Sequence, residues 1–562
     1  MNQWRQFFYV SSRREKYGLL FFFLMIVVGG GIVGIKFYFN HTQIGPAKGG
    51  TLTIAMVGAS PHFLNPVLSP INTTDRDLTP VFFSSLMKYD NLGNLTPDLT
   101  ENYTIGDNGK TYDLTIRKNI KWQDEKPLNI DDVIFTLQTI QNSDYSGKSP
   151  LRVLWQGAEF EKIDDYTIRF KLKAPYAPFL HTLTFGILPK HLWQNFSPSQ
   201  FSLTELNQKP VGSGPYEFTK LVKDSNGNIV RLETKAFADY FLGQPNISQI
   251  VFKFYNSEEE AISAYKKDEV NAINSISEKA KQELQLKYPD LTIYSIVLPR
   301  YFAVFFNQSQ NPALADKNIR QAIAFATDKN QILKEVYRGD SEIVDSPILR
   351  GMTGYSDQVK KYNFDPDKAK EILNSSGWKD ENSDGILEKN NQKLEITIVA
   401  NDWPEITQTA QLLKQQWLNV GIGVNLDIKD TNRIKIENII PRQYQALLFG
   451  EILGPEPDLF SFWHSSQKKD PGLNLSLYEN PDADKLIMEA RQELDVNVRS
   501  QKYQQFDDLI AEDLPAIFLY NPDYFFAASK DIQGIMFKNI NNISSYLNQI
   551  NNWFINTERN WK

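Results

Sequence analysis

Between Gly18 and Ile35 the chain reads GLLFFFLMIVVGGGIVGI, without a single charge. As a helix this run is about 27 Å long, close to the hydrocarbon thickness of a bilayer. Arg5, Arg13, Arg14 and Lys16 precede it against one Glu15, so the positive-inside rule keeps residues 1–17 cytoplasmic and exports the rest of the chain. Lys36 closes the apolar run, and the next residues, KFYFNHTQIGPAKGG, contain no A-x-A-type cleavage site. The reading is an uncleaved signal anchor over 18–39; the alternative is a cleaved signal peptide. Gly29, Gly31 and Gly34 spell G-x-G-x-x-G inside the span, where no strand precedes them and no dinucleotide could dissolve. Gly30 and Gly34 read either as a helix-packing face or as ordinary membrane-helix composition.

The remainder is the composition of a folded, water-soluble body. Of 562 residues, 41% are hydrophobic and 23% charged, which fits three or four globular units rather than a disordered or polytopic chain. Cysteine is absent, which excludes disulfides, thiolate metal sites, cysteine nucleophiles and a lipidated cysteine. With six basic residues and one acidic residue among the first 48, the exported part carries 54 basic against 66 acidic residues, a net −12. Nucleic acid is therefore not an expected partner.

Residues 40–50, NHTQIGPAKGG, read as a polar tether, and the body begins near Thr51. TLTIAMVG, TYDLTIR, YTIRFKLK, IVFKFYN and LEITIVA have strand character. Helical periodicity lies between them. A helix is expected from Asn129, burying Ile130, Val133, Ile134, Leu137 and Ile140 with Asp131 and Asp132 in its first turn. Others are expected after Pro404, closed by Gly421, and after Asn480, with Pro481 at its first position and Leu486, Ile487 and Ala490 inward. Interspersed strands and helices make the class mixed α/β.

A search for chemistry finds no catalytic constellation. His41, His62, His181, His191 and His464 lack the close spacing of a zinc helix, no G-x-S-x-G elbow occurs, and the glycines of GDNGK are too close together for a phosphate loop. An enzyme is not expected. In DENSDGILE, Asp380, Asn382 and Asp384 alternate before Gly385 as in the first half of a calcium loop, but Asn391 stands where a bidentate Glu belongs. The competing reading is an Asx-rich turn without a cofactor.

Read in order, GGTLTIAM with FLNP, SSLMKYDNLGNLTPDLTENYTIGDNGKTYDLTIRKNIKWQDEKPLNIDDVIFTL, PVGSGPY, FFNQSQNPALADKNIRQAIAFATDK, YNFDPDKAKEILNSSGW, FWHSSQ and NPDADKLIMEAR through EDLPAIFLY resemble the family five extracellular solute-binding proteins. These are the dipeptide- and oligopeptide-binding components of ABC importers. The resemblance covers about 49–535. It implies a bilobal, periplasmic-binding-protein-like clamp with an inserted domain: 51–85, 210–300 and 520–562 as one lobe, 86–209 as the insertion, 301–519 as the second lobe. Crossings are expected near Pro299 to Phe305 and near Glu512 to Pro522. It further implies a monomer that carries a peptide or other small solute to a permease and ATPase pair.

Carried over by resemblance, the ligand pocket includes Phe63, Leu64, Asn65, Asn307 and the loop 449–464 with Trp463 and His464. Each has an ordinary reading as well: Phe63 and Trp463 as core, Asn307 as a turn or strand end, His464 as surface. One departure stands out. Aligned on Pro457, Leu453 occupies the position of the aspartate that holds a peptide's ammonium in relatives, and Gly450 that of a common Trp. Glu451, or else Glu456, is the expected replacement carboxylate. Without one the ligand is a solute lacking a free amine, and relatives take metal chelates, haem, opines or oligosaccharides. A sensing or chaperone ectodomain is the remaining alternative.

Overall fold

The computed structural model describes residues 12–68, 73–90, 92–145, 155, 157–339, 341–454, 456, 458–537 and 546–561. Most of the basic segment 1–17, and the prolines 455 and 457 used to align the loop, lie outside the described residues. The first helix runs Arg13–His41, longer than the apolar run itself, and none of its described residues is buried. Ser12 and Glu15 form a capping box at its start. By length and composition it can cross a membrane.

The polar stretch after it is not a flexible tether. Thr42–Ala47 is a strand paired antiparallel with the C-terminal strand Asn556–Trp561, from Thr42 opposite Trp561 to Ala47 opposite Asn556. Arg559 fastens the junction: its Nη1 donates to Thr42 Oγ1 at 2.8 Å, and its guanidinium lies 4.1 Å from the Phe39 ring centroid. Composition suggests a linker here because the pairing strand is distant in sequence.

Three larger sheets build the body. The seven-stranded sheet runs, edge to edge, Leu291–Ile296, Tyr524–Ser529, Ala272–Ile276, Thr51–Val57, Gln249–Tyr255, Ile229–Ala236 and Tyr216–Lys223. Thr51–Val57 is central and parallel to both neighbours. Its Leu52, Ile54 and Met56 enter one core and Ala55 the opposite one, the period-2 division of a strand buried on both faces. The inserted region forms a four-stranded antiparallel sheet, Thr100–Gly106, Thr111–Ile116, Thr167–Lys171 and Glu159–Lys162. Its Leu114, Ile116, Ile168 and Phe170 share the Leu52 core. The helix Ile130–Gln141 starts at Asn129, which caps it together with Asp132.

The second lobe is a six-stranded sheet ordered Ser341–Ile343, Ala516–Pro522, Arg300–Phe306, Ala446–Ile452, Glu395–Asn401 and Gly423–Lys429. One face packs on helices that include Pro404–Leu418, the other on Pro481–Gln492 and Val496–Asp513. The expected Gly421 terminator has φ +89°, and a Cβ there would stand 2.5 Å from Leu387 Cγ.

The chain passes between the two large sheets at 297–299 and again at Asp523, between the strands that end at Ile296 and Pro522 and those that begin at Arg300 and Tyr524. Both crossings are shorter than expected, and the windows read from sequence fall mainly on the adjoining strands. They are tied together: Asn521 Nδ2 donates to the Leu298 carbonyl at 2.9 Å and Arg300 Nη2 to that of Pro522 at 3.1 Å.

PVGSGPY joins the insertion to the first lobe. Gly214 N–H donates to Phe82 O at 2.7 Å, Gln123 N–H to Gly212 O at 2.9 Å, and Ser84 Oγ–H to the Ser213 carbonyl at 3.1 Å. The backbones lie so close that only hydrogen fits at the two glycines.

Candidate functional site

The loop after Ala446–Ile452 reaches the junction of the second lobe with the inserted region. Asp458 accepts a 2.8 Å hydrogen bond from Tyr176 Oη across that junction. Arg491 clamps the same carboxylate, with Nε and Nη2 each 3.0 Å away. The Arg491 guanidinium lies 5.0 Å from the Tyr176 ring and 4.3 Å from Phe460, and its carbonyl accepts the Ala177 N–H at 2.8 Å. One arginine therefore contacts both sides of the cleft.

Beside it lies a second pair of contacts. Glu456 Oε1 takes Arg499 Nε–H at 2.9 Å, and its Oε2 takes the Thr353 hydroxyl at 3.1 Å. From the inserted region, Tyr89 Oη and His181 Nδ1 are 2.8 Å apart. Burial, reinforced by the Arg499 charge, holds His181 down to about 4, so it is neutral at physiological pH. Burial first and the Glu456 charge second keep Tyr89 a phenol.

The two candidate anchors are placed very differently. Glu451, the first choice, is 4% exposed and turned into the core of the second lobe, where Tyr301 Oη–H donates to its Oε2. Strand alternation explains this: Leu447, Phe449 and Glu451 share the face that packs on Tyr301, Phe305 and Trp463. Burial pushes its carboxyl up to about 8, the value of a neutral acid rather than an ammonium's counter-ion. Glu456 does reach the junction, yet Arg499 already balances its charge. Gly450 has no room for the Trp of relatives, since a Cβ would stand 2.8 Å from the Phe302 ring. Leu453 is buried, its N–H donating to Pro299 O at 2.7 Å.

The remaining expected residues all have partners within the protein. Leu64 and Asn65 are buried, and Asn65 Nδ2 donates to Asn207 Oδ1 at 3.2 Å. Phe63 is half-buried against the Leu52 core. Asn307 ends its strand, its Nδ2 donating to Arg442 O at 2.9 Å and its Oδ1 accepting the Ser309 hydroxyl at 2.7 Å. Trp463 is core at 1% exposure. His464 is half-buried, its ring 4.5 Å from Phe460.

In the 380–385 loop the oxygens point at the loop's own backbone. Asp384 N–H donates to Asn382 Oδ1 at 2.9 Å and Gly385 N–H to Asp380 Oδ2 at 3.1 Å, while Lys393 pairs with Asp384. That is the geometry of an Asx turn. Among the described residues, no group of three His, Cys, Asp or Glu side chains is placed to hold a metal ion.

Sequence alone does not single out Tyr176, Tyr89, His181, Asp458, Arg491 or Arg499 for this junction. Their partners are far apart in the chain, and although Tyr89, Asp458, Arg491 and Arg499 fall in segments that resemble the family, no local pattern pairs them.

Residues 94–472 match the family described as bacterial extracellular solute-binding proteins, family 5. The chain belongs to that family. It is 31% identical over 500 residues to the oligopeptide-binding protein AppA of Bacillus subtilis, covering 87% of this chain and 89% of AppA. The solved structure of AppA from Bacillus subtilis in complex with a nonapeptide superposes with a TM-score of 0.75 at 29% identity, over 91% of this chain and 100% of that one. NikZ from Campylobacter jejuni in complex with Ni(L-His) gives 0.76 at 26% identity, over 90% and 99%. Family 5 members are binding proteins, so the bilobal α/β architecture and the solute-binding class are both established for this chain.

Proposed function

We propose that this family 5 protein is the membrane-anchored, extracytoplasmic substrate-binding component of an ABC importer. It takes up peptides by closing its lobes about the paired crossings and delivers them to a permease and its ATPase. The observation that carries the reading is the match to an oligopeptide-binding protein over nearly the whole clamp. The helix Arg13–His41, continued directly by the ribbon, supports the anchor. The lack of an amine-binding aspartate at Leu453 favours a second reading, a non-peptide solute such as the chelate named for NikZ.

Native mass spectrometry of the full chain extracted in mild detergent tests both. A series of acid-releasable peptide masses on a protein of 64.6 kDa is expected. A single chelate or sugar mass overturns the peptide reading, and a chain shortened by its first helix overturns the anchor.

Closure predicts a role for the junction. Tyr176→Phe removes one charge-assisted hydrogen bond that exists only when the lobes meet, worth about 1.5–3 kcal/mol. Apparent affinity scales with the closed fraction, so titration calorimetry should show peptide binding weakened about tenfold. Unchanged affinity would show that the contact does not bias closure.

A further inference from the structure

Where the first helix meets the two-stranded ribbon, one cation is only half engaged by the protein. Arg559, in the strand Asn556–Trp561, reaches back over the end of the helix. Its guanidinium lies 4.1 Å from the Phe39 ring centroid and 5.9 Å from that of Tyr38. Its Nη1 is spent on Thr42, donating to Oγ1 at 2.8 Å and to the carbonyl at 3.4 Å. Nε and Nη2 form the edge that presents two parallel N–H groups, and neither bonds to a described residue. No described carboxylate pairs with the guanidinium either. Glu558 is the preceding residue and so belongs to the other face of the ribbon. By register the Arg559 face carries Thr42, Ile44 and Thr557, all uncharged.

Depth decides what can meet that edge. The uncharged run ends at Ile35, and Phe39 lies four residues on, about 6 Å further along the helix axis. The headgroup layer of a bilayer extends about 5–7 Å beyond the hydrocarbon on each side. With 18–35 in the hydrocarbon, the Arg559 fork therefore stands among lipid phosphates. Phe37, Tyr38 and Phe39 are all exposed, and such aromatic side chains favour that depth. His41 closes the last turn beneath them, its Nδ1 2.9 Å from the Phe37 carbonyl oxygen and its ring 4.0 Å from the Phe37 ring. The exported body is acidic overall, so a phosphate is held here by local geometry rather than by net charge. We propose that the junction of helix and ribbon is a phospholipid site, in which Arg559 grips the phosphodiester of one outer-leaflet lipid through Nε and Nη2. The stack on Phe39 and the Thr42 bonds fix the plane of the guanidinium, and its remaining edge matches two phosphate oxygens at once. This inference rests on the membrane anchor proposed above and names what the anchor holds at its outer end.

The test is native mass spectrometry of the full chain in mild detergent, titrated with dioleoylphosphatidylglycerol, whose headgroup brings no competing ammonium. Wild type is expected to retain one lipid at about tenfold lower lipid concentration than Arg559→Gln. Arg559→Lys, which keeps the charge but not the fork, should fall between them. Thr42→Val removes the Nη1 partner and leaves the fork, so it should retain lipid as wild type does. If Arg559→Gln fails to fold, Arg559→Lys and Thr42→Val decide against wild type. Inorganic phosphate in excess should leave the lipid in place; displacement would make the fork a site for free phosphate and overturn the lipid assignment. Equal retention by wild type and the Arg559 variants overturns the inference and leaves the anchor standing. So does a loss in Thr42→Val as large as in Arg559→Gln, because retention would then depend on the ribbon's integrity. If the mature chain lacks its first helix, the anchor falls and takes the inference with it.

Discussion

Gly212→Ala is expected to lower the stability of the body by about 3 kcal/mol or more, among the largest costs of any single methyl group. A Cβ at Gly212 would stand 1.9 Å from the Phe82 carbonyl oxygen, and one at Gly214 would stand 2.5 Å from the Phe82 carbonyl carbon. Neither obstacle is a side chain that can rotate away, so the clasp joining the insertion to the first lobe must part. The hydrogen bonds it would lose, from Gly214 to Phe82 and from Gln123 to Gly212, are buried among the same backbones. Gly106→Ala is the control, because its Cβ would find only Thr111 Cβ at 3.9 Å. Denaturation midpoints of the full chain should fall sharply for Gly212→Ala and little for Gly106→Ala. Equal midpoints would mean that the clasp has slack.

Stability should also fall as pH rises from about 5 to 8, and two buried acids are responsible. Burial pushes Glu451 up to about 8 from 4.5, and Asp507 up to about 8 from 3.8. A carboxyl whose folded pKa is raised contributes stability that is complete below its unfolded pKa and is lost as pH climbs to its folded one. The upper limit is about 1.4 kcal/mol per pH unit for each group. Glu451 Oε1 and Asp507 Oδ1 have no hydrogen-bond partner; Tyr301 and Ser346 donate to the other oxygens, which favours the ionised forms but is outweighed by burial. The double variant Glu451→Gln/Asp507→Asn mimics the protonated forms. Its melting temperature should change less between pH 5 and 8 than that of wild type, with solute affinity unaltered because neither group reaches the cleft. A slope equal to wild type would relocate the titration elsewhere.

These two cases mark where sequence reasoning works. Period-2 runs such as TLTIAMV and the caps at Asn129 and Asn480 are local, so their elements are legible from neighbouring residues. The glycines of PVGSGP are visible in the sequence, but their cause, the close approach of the Phe82 backbone, is not. Glu451 cannot be placed in the same way: a carboxylate in a recognised loop looks available, and only strand pairing with Arg300–Phe306 turns it toward Tyr301. Arg491 and Tyr176 are separated by more than half the chain, and nothing local announces that they meet.

The two-stranded ribbon at the chain ends changes how far the clamp can roam. Eleven flexible residues would act as a leash, letting the cleft swing through a hemisphere about its attachment. Six paired residues on each side, locked to Phe39 and Thr42 by Arg559, act as a short stalk instead. For a helix seated in a bilayer, the stalk sets the height of the body above the lipid and limits its pitch and roll. Under the proposed function, encounter with a permease would then be a search in two dimensions by a particle already facing a restricted range of directions.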